Sequence, residues 1–322
     1  MPKRRAKHDS TPAIPERTNA LLAALYVLLH ILFYGVLPVY LLPGSAFWGF
    51  ALIVFVMLTP FFWALAHESL HGILFSDYNR NKVCGRVLCA LFGAPFQVLR
   101  FGHLIHHRFA RSRFDCMEVY DPDRQNYAAA SSEYYFRLLG GLFVIELVGN
   151  IAAFMPRKPL TAFIGLLFRQ KDGEGPDIAP LAVRAYTDPE KLKGIRIDSA
   201  AALLVLALAF AAYGSYWWML ALALAGRGFV QSMIDNAPHY DTPMDQPDYA
   251  LNLALPRWAE LAMLNFNCHR VHHGDAALSW LYLPSRAAAR NEEFEKPWLS
   301  AVLRQLRGPV RRELLPERVS GG

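Results

Sequence analysis

The chain has 322 residues, of which 54% are hydrophobic and 19% are charged, and its formal net charge is +6 at pH 7. The apolar residues come in long blocks rather than at amphipathic spacing, which indicates an integral membrane protein and excludes an ordinary soluble domain. The modest charge lies mostly in tails and loops, which argues against a nucleic-acid partner and suits a membrane surface or an acidic soluble partner.

The first apolar block, 19–43, is long enough to cross the roughly 30 Å hydrocarbon layer of a bilayer. It has no small-residue cleavage site and Pro43 closes it, so we interpret it as an anchor rather than a signal peptide. Lysines and arginines in residues 1–18 predict a cytosolic N-terminus by the positive-inside rule. The second block, 46–66, follows a short uncharged turn, returns to the cytosol and ends directly at His67.

Two apolar blocks in the middle of the chain have more than one interpretation. The block 87–101 is interrupted by Pro95 and is too short to span comfortably, so we expect an interfacial or re-entrant segment. The block 138–155 either lies in the membrane interface or pairs with 160–168 as a shallow hairpin. The interface is preferred, because an even number of crossings must separate the two HxxHH motifs of the chain if these form one site.

A second hairpin is predicted over 198–214 and 216–235, and its second helix ends at a polar segment that carries His239. Arg227 would lie near the middle of the bilayer, where a charge is costly and hints at function. We consider three roles for it: binding a substrate carboxylate, pairing with Glu146, or snorkelling to the interface.

Together these elements predict an all-α integral membrane protein with two transmembrane helical hairpins, about four spans, and a cytosolic helical cap that carries the histidines. We divide the chain into a basic N-terminal tail (1–18), a membrane domain (19–284) and a C-terminal tail (285–322), with both tails in the cytosol. The charged loop 169–194 and the C-terminal tail are interpreted as covers over the site or as solvated surface.

Nine of the eleven histidines fall into four clusters on the predicted cytosolic side of the membrane. In chain order the clusters are HxxxH, HxxHH, a single histidine and a second HxxHH: His67 and His71; His103, His106 and His107; His239; His269, His272 and His273. Positions i, i+3 and i+4 of an α-helix lie within an arc of about 100°, so we expect each HxxHH motif to aim three imidazoles at one point.

Crowded imidazoles indicate a metal site, because protonated they would repel one another and neutral they would need many separate hydrogen-bond partners. Neutral imidazole is the commonest nitrogen ligand of metals in proteins. One metal takes about four to six ligands, so nine histidines imply two metals. The remaining histidines, His8 in the tail and His30 inside the first apolar block, are interpreted as ordinary structural residues.

The stretch 67-HESLH-71 also reads HExxH, in which Glu68 would be the general base of a zinc metalloprotease. An intramembrane protease needs only one further ligand and has no use for two HxxHH motifs. We therefore predict that Glu68 is a hydrogen-bond acceptor that orients imidazoles. A metal transporter or sensor is a further alternative, but transport needs ligands within the bilayer, and these clusters lie at helix ends.

The order of the four histidine clusters on two predicted hairpins resembles the integral-membrane fatty acid desaturase superfamily, from about residue 45 to about residue 285. The resemblance implies a non-haem centre of two irons at the cytosolic membrane face, with all nine clustered histidines as ligands. It also implies O₂ as co-substrate, two electrons from a carrier, and removal of hydrogen from the alkyl chain of a lipid.

This sequence departs from the acyl-CoA desaturases of that superfamily beside His239. Those enzymes place an asparagine four residues before the single histidine, where it holds a water on one iron. Asp235 occupies that offset here and Asn236 lies one residue closer, so either residue is a candidate for the role. The first cluster has the shorter HxxxH spacing of acyl-lipid desaturases and carotenoid ketolases, which leaves the substrate class open.

We predict desaturation of a fatty acyl chain, in a tunnel that Trp280 and Tyr282 could close unless these two rings pack at the interface. Hydroxylation of a fatty acid, decarboxylation to a terminal alkene and ketolation of a carotenoid remain alternatives, because all begin with the same hydrogen abstraction. Decarboxylation would need a basic residue such as Arg108 or Arg270 to hold the carboxylate. The sequence shows no fused cytochrome b5-like segment, so we expect a separate ferredoxin, rubredoxin or cytochrome as electron donor.

Overall fold

The structure, a computed structural model, describes residues 12–170 and 175–317. Most of the basic residues that predict a cytosolic N-terminus lie in 1–11, outside the described residues, as do 171–174 of the charged loop and 318–322 of the C-terminal tail. Helices account for most of the described chain, and its strands form only two parallel pairs of two residues each. The prediction of a mainly α-helical protein is confirmed.

The first eleven helices precede the turn that carries His239, and their bounds are α1 (Glu16–Ile31), α2 (Ala51–Met57), α3 (Thr59–His71), α4 (Tyr78–Phe92), α5 (Phe96–Phe109), α6 (Tyr127–Phe136), α7 (Leu142–Ala152), α8 (Arg157–Leu167), α9 (Ala179–Thr187), α10 (Pro189–Tyr213) and α11 (Trp217–Asn236). The later helices are short: α12 (Arg257–Ala262), α13 (His269–Gly274), α14 (Leu283–Ala289) and α15 (Trp298–Arg304). Strand β1 (Val119–Tyr120) pairs with β4 (Val310–Arg311), and β2 (Leu253–Ala254) pairs with β3 (Lys296–Pro297).

Several helical segments are long and apolar enough to cross a membrane. By length and composition there are three: Glu16–Leu41, in which a π-helix continues α1; Tyr127–Ala152; and Pro189–Asn236. Two bent pairs raise the number to five if each counts as one span: Ala46–His71, bent by 43°, and Tyr78–Phe109, bent by 96°. The predicted spans 46–66, 198–214 and 216–235 fall within these segments. The block 138–155 overlaps one that is long enough to cross, and its interfacial position stays a prediction.

Glycine and proline set the ends of the helices that carry the first two histidine clusters. Gly72 has a φ of 80° and ends α3 directly after His71, in a left-handed conformation that glycine adopts without strain. Gly93 ends α4 in the same way with a φ of 104°, and Pro95 stands immediately before α5. The resulting 96° bend between α4 and α5 turns the chain back toward the end of α3.

Contacts between α2 and α11 show how the bundle gathers the histidines at one end. Gly49, just before α2, lies against Met219, and Val56 lies against Gly226. The two helices therefore run in the same direction, and α3 continues that of α2 after a 43° bend. As a result, the C-terminal ends of α3 and α11 lie at the same end of the bundle, and His239 follows directly after α11.

Arg227 lies inside the bundle and is only 1% exposed. Its Nη1 donates a hydrogen bond to the Tyr34 hydroxyl at 3.1 Å, its guanidinium carbon lies 4.6 Å from the ring centre of Phe55, and two further phenylalanine rings lie at 5.1 and 5.3 Å. Glu146 makes no ion pair with it in the described chain, and Oε2 of Glu146 has no hydrogen-bond partner there. The predictions of snorkelling and of a pair with Glu146 are wrong, because cation–π contacts stabilise the buried charge instead. Contact with a substrate carboxylate stays a prediction.

Candidate metal centre

Four parts of the chain bring nine histidines together at one end of the bundle. The C-terminal half of α3 carries the first cluster, α5 carries the second, the turn after α11 carries His239, and α13 carries the last. Before α13 the chain reverses through Leu264 and Asn265, both of which have positive φ. The Asn265 side chain donates to the carbonyl of Trp280 at 3.1 Å, which fixes this reversal against the segment that follows α13.

The nine histidines form two groups, and within each group one ligand nitrogen per residue lies within 4.8 Å of the others. Group one contains His67, His71, His103, His107 and His272. Group two contains His106, His239, His269 and His273. The structure therefore brings together every histidine that the sequence places in the four clusters, and the number of groups equals the predicted number of metals.

Each HxxHH motif divides between the two groups, which corrects the expectation that its three imidazoles meet at one point. In the first motif, His103 and His107 belong to group one and His106 belongs to group two. In the second motif, His272 belongs to group one, while His269 and His273 belong to group two. The reason is angular: positions i and i+4 differ by about 40° around the helix, whereas i+3 lies about 100° from i+4. The two motifs thus exchange one histidine each, and both groups hold side chains from α5 and α13.

The nitrogen geometry of group one fits a bound metal. Nε2 of His71 lies 2.7 Å from Nε2 of His103, and Nε2 of His107 lies 3.0 Å from Nε2 of His272. Two nitrogens that bind one metal through bonds of about 2.0–2.1 Å are separated by about 3 Å. In addition, His67 Nε2 is buried without a hydrogen-bond partner in the described chain, as a nitrogen reserved for a ligand bond would be.

The imidazoles after α11 are held neutral, as metal ligands must be. Burial, and secondarily the charge of His106, lowers the pKa of His269 to about 3. Burial and the neighbouring histidines also hold the pKa values of His239, His272 and His273 well below the ordinary value. Neutral imidazole is the metal-binding form, so these residues would bind a metal without first losing a proton at physiological pH.

Two partners orient the imidazoles of group two from outside. Nδ1 of His106 lies 2.5 Å from the carboxylate of Asp115. Nδ1 of His273 lies 3.0 Å from the carbonyl oxygen of Pro247, to which it can donate, and this leaves Nε2 free and without a partner in the described chain. Sequence reasoning missed Asp115 as the partner of His106.

Replacing Asp115 with asparagine is expected to lower metal affinity or turnover about 10- to 100-fold, because His106 loses the carboxylate that fixes its ring and raises its basicity. The check is the metal content of the purified protein over a series of free metal concentrations. Asp123→Asn is the matched control, since Asp123 is exposed and belongs to neither group. Identical metal binding by the Asp115 and Asp123 variants would contradict this role.

Asp235 and Asn236 have different surroundings. The side-chain nitrogen of Asn236 donates to Gln305 Oε1 at 2.7 Å, and Gln305 Nε2 donates to the Met233 carbonyl at 2.8 Å. These two hydrogen bonds hold the amide of Asn236 against Gln305 in the C-terminal tail. Asp235 interacts electrostatically with His106 and Asp115, so it is the one of the two candidates whose charge acts on group two.

Glu68 has partners other than the predicted imidazoles. Its Oε2 accepts hydrogen bonds from Ser279 Oγ at 2.9 Å and from the Trp280 backbone N–H at 3.2 Å, and none of its hydrogen bonds in the described chain involves an imidazole. The Trp280 indole in turn donates to Asn19 Oδ1 at 3.0 Å, and Tyr282 donates to a backbone carbonyl before α1. Glu68 therefore joins α3 to the segment after α13, and the contacts of the two rings favour packing over tunnel closure.

A buried ion pair that sequence reasoning missed orders the turn with His239. Nη1 of Arg111 lies 2.5 Å from Glu118 Oε1, and both side chains are 1% exposed. Nη2 of Arg111 donates to the Thr242 carbonyl at 2.7 Å, and Thr242 Oγ1 donates to the His239 carbonyl at 2.7 Å. The segment after α5 is thereby tied to the ligand turn after α11.

The two arginines proposed to hold a carboxylate are not both available for that role. Arg270 donates to the Ala250 carbonyl at 2.9 Å and pairs with Glu292 and Glu295. Arg108 is exposed, and its guanidinium lies 5.3 Å from the ring centre of Phe109. Arg270 therefore already has anionic partners, which weakens the argument for a carboxylate beside the histidines.

Comparison with family models matches residues 46–302 to the family described as fatty acid desaturase. The match covers well over half of the chain and contains all nine histidines of groups one and two. A comparison with curated proteins found no match. With its resemblance confirmed in this way, the chain belongs to the fatty acid desaturase family.

Proposed function

We propose that the chain is a di-iron membrane oxidoreductase that uses O₂ and two electrons to desaturate a fatty acyl chain. The observation that carries the proposal is the division of nine histidines into two compact groups within a fatty acid desaturase match. Neutral nitrogen donors suit first-row transition metals such as iron. Groups one and two would each hold one iron, and when bound these would supply oxygen activation and hydrogen removal from an alkyl carbon.

The chain's own residues give this site an apolar inner wall. The Trp63 ring lies 6.0 Å from the His67 ring and 6.2 Å from the His103 ring, and the Phe266 ring lies 5.1 Å from His67 and 4.8 Å from His269. Both aromatic side chains are buried; they line the inner side of group one, and Phe266 also lies beside His269 of group two. An alkyl chain, which brings no polar group to satisfy, is the kind of substrate that such a wall accepts.

For the membrane arrangement we propose two hairpins, about four spans, with the histidines and both termini in the cytosol. The common direction of α2 and α11 supports this, because it delivers both hairpins' histidines to one side. In this arrangement the bent α4–α5 pair is a re-entrant segment that enters and leaves on the histidine side. The electron donor would be a separate soluble protein.

The product of a labelled substrate tests the reaction. A host that expresses the chain is fed a deuterated fatty acid, and its lipids are analysed by mass spectrometry against the same host without the chain. Loss of two hydrogens at constant chain length is the expected result. A gain of one oxygen would replace desaturation with hydroxylation, and a product one carbon shorter would replace it with decarboxylation. Either result would overturn the proposed reaction.

Glu68→Gln separates this proposal from the zinc protease that the HExxH motif permits. A zincin would lose its general base and nearly all activity while keeping its metal. Glutamine keeps an oxygen that can still accept from Ser279 and Trp280, so we expect at most a loss of about 10- to 100-fold in oxidoreductase turnover. The check is turnover together with metal content. Complete loss of activity with unchanged metal content would favour the protease.

A further inference from the structure

An open pocket of about 320 Å³ lies beside the turn that carries His239. One wall comes from Tyr240 and Asp241, and the others come from β1 and from residues 304–314, called the C-terminal segment below. The Tyr240 hydroxyl donates to the Gly308 carbonyl at 2.7 Å, which fixes this wall to the C-terminal segment. The C-terminal segment is thus a built part of the pocket and not merely solvated surface.

The charged side chains of this pocket are mostly basic: Arg304, Arg307 and Arg311, with Asp241 as the acidic member. Arg304 pairs with Asp241, and Arg311 pairs with Glu313 at 3.4 Å in a contact that is more than half exposed on both sides. Arg307 is exposed and has no ion-pair partner in the described chain. These four charged residues form the rim of the pocket, and through Arg307 the rim presents an uncompensated positive charge to solvent.

Lys296, in β3, lies close enough to Arg304 and Arg307 for their charges to act on its ammonium group. Burial lowers the pKa of its ammonium group, and Arg304 and Arg307 lower it further, while Asp241 opposes them. A cation whose protonation is disfavoured by neighbouring guanidinium groups lies in a region that an anionic partner would stabilise.

The pocket lies beside the turn that carries His239, a histidine of group two. Tyr240 is bonded directly to His239, whose Nε2 lies 3.0 Å from Nε2 of His269 within group two. A buried residue that lines the pocket therefore stands next in sequence to a candidate metal ligand. The four cysteines of the chain form no CxxC pair that would indicate an iron–sulfur site of its own.

We propose that an acidic one-electron carrier protein docks on the rim around Arg307 and delivers electrons toward group two, whose ligand His239 lies on the adjoining turn. This inference rests on the proposed function. In each turnover two reduced carriers lose one electron each, the substrate loses two hydrogens, and two protons from water complete the reduction of O₂ to two waters. The positive rim supplies steering and orientation, as charge complementarity does for other transient complexes.

The test compares the full-length wild-type chain with Arg307→Glu and with Lys158→Glu, a matched charge reversal at an exposed residue of α8 away from the pocket. The probe is an acidic [2Fe–2S] ferredoxin at low ionic strength. The Kd for oxidised ferredoxin is measured on metal-free protein, and the rate of electron transfer from reduced ferredoxin is measured on iron-loaded protein. Dithionite serves as a small reductant that needs no docking surface.

Arg307→Glu is expected to raise the Kd and to lower the ferredoxin-dependent rate by about 10-fold or more, with the difference shrinking at high salt. Its reduction by dithionite should match the wild type, and Lys158→Glu should match the wild type in every measurement. Equal ferredoxin binding by the two variants would overturn the docking proposal. So would tight binding of inorganic phosphate at Arg307 with an unchanged ferredoxin rate. Failure of dithionite to reduce iron-loaded wild type would overturn the proposed function itself, and the docking proposal with it.

Discussion

Replacing His272 with alanine is expected to lower the bound iron from about two per chain toward one and to abolish turnover. Among the described residues, His272 is the only member of group one that α13 supplies, and its Nε2 lies 3.0 Å from that of His107. Its loss removes a ligand of group one and also the link between α13 and that group. The effect should exceed the roughly 10- to 100-fold loss that removal of an outer hydrogen-bond partner causes.

Iron per purified chain and turnover of the labelled fatty acid measure this effect. His30→Leu is the control, because His30 is equally buried and stacks on Tyr26 at 4.6 Å but belongs to neither group. The control should keep both irons. If His272→Ala also kept its iron and its activity, group one would not be a metal site.

Replacing Arg111 with alanine should lower the free energy of unfolding by about 3–5 kcal/mol, because it leaves the carboxylate of Glu118 buried without its cation. The Thr242 carbonyl loses a donor at the same time, so the turn with His239 loosens and group two should bind its metal less tightly. Unfolding in detergent, followed at matched metal concentration, gives the stability, and metal content gives the second effect.

Two variants make the Arg111 result specific. Arg311→Ala removes an exposed pair with Glu313 and should cost far less stability than Arg111→Ala. The double replacement Arg111→Met with Glu118→Leu should recover much of the stability, since it removes both buried charges and fills their volume. A cost for Arg111→Ala no larger than that for Arg311→Ala would contradict the structural role of the pair.

The parts of the fold that follow from local composition could be predicted from the sequence. Apolar length alone locates the membrane-competent segments, and Gly93 with Pro95 marks the break between α4 and α5. Spacing identifies eight of the nine histidines, because imidazoles repeated at helical spacing in an apolar chain are hard to stabilise without a metal, and the resemblance to the desaturase superfamily adds the single His239. Spacing does not predict which histidine belongs to which group. That depends on how α5 and α13 are placed relative to each other, which puts His106 in group two and His272 in group one.

Apart from Asp115, which contacts His106 nine residues before it, the residues that sequence reasoning missed or misassigned act across long sequence separations. Arg111 reaches the carbonyl of Thr242, and Gln305 accepts from Asn236, through contacts that no local pattern predicts. Glu68 lies between two imidazoles in sequence, yet its helix face turns it toward Ser279. Arg227 stands out from the sequence as a charge in an apolar helix, but the three aromatic rings around it come from other helices and could not be predicted from α11 alone.

The central claim is that two histidine groups hold two irons, and anomalous X-ray diffraction at the iron edge tests it most directly. The full-length chain, purified with its metal, should give two separate iron peaks, one among the nitrogens of His67, His71, His103, His107 and His272 and one among those of His106, His239, His269 and His273. A single peak, or zinc in place of iron in a fully active preparation, would contradict the account.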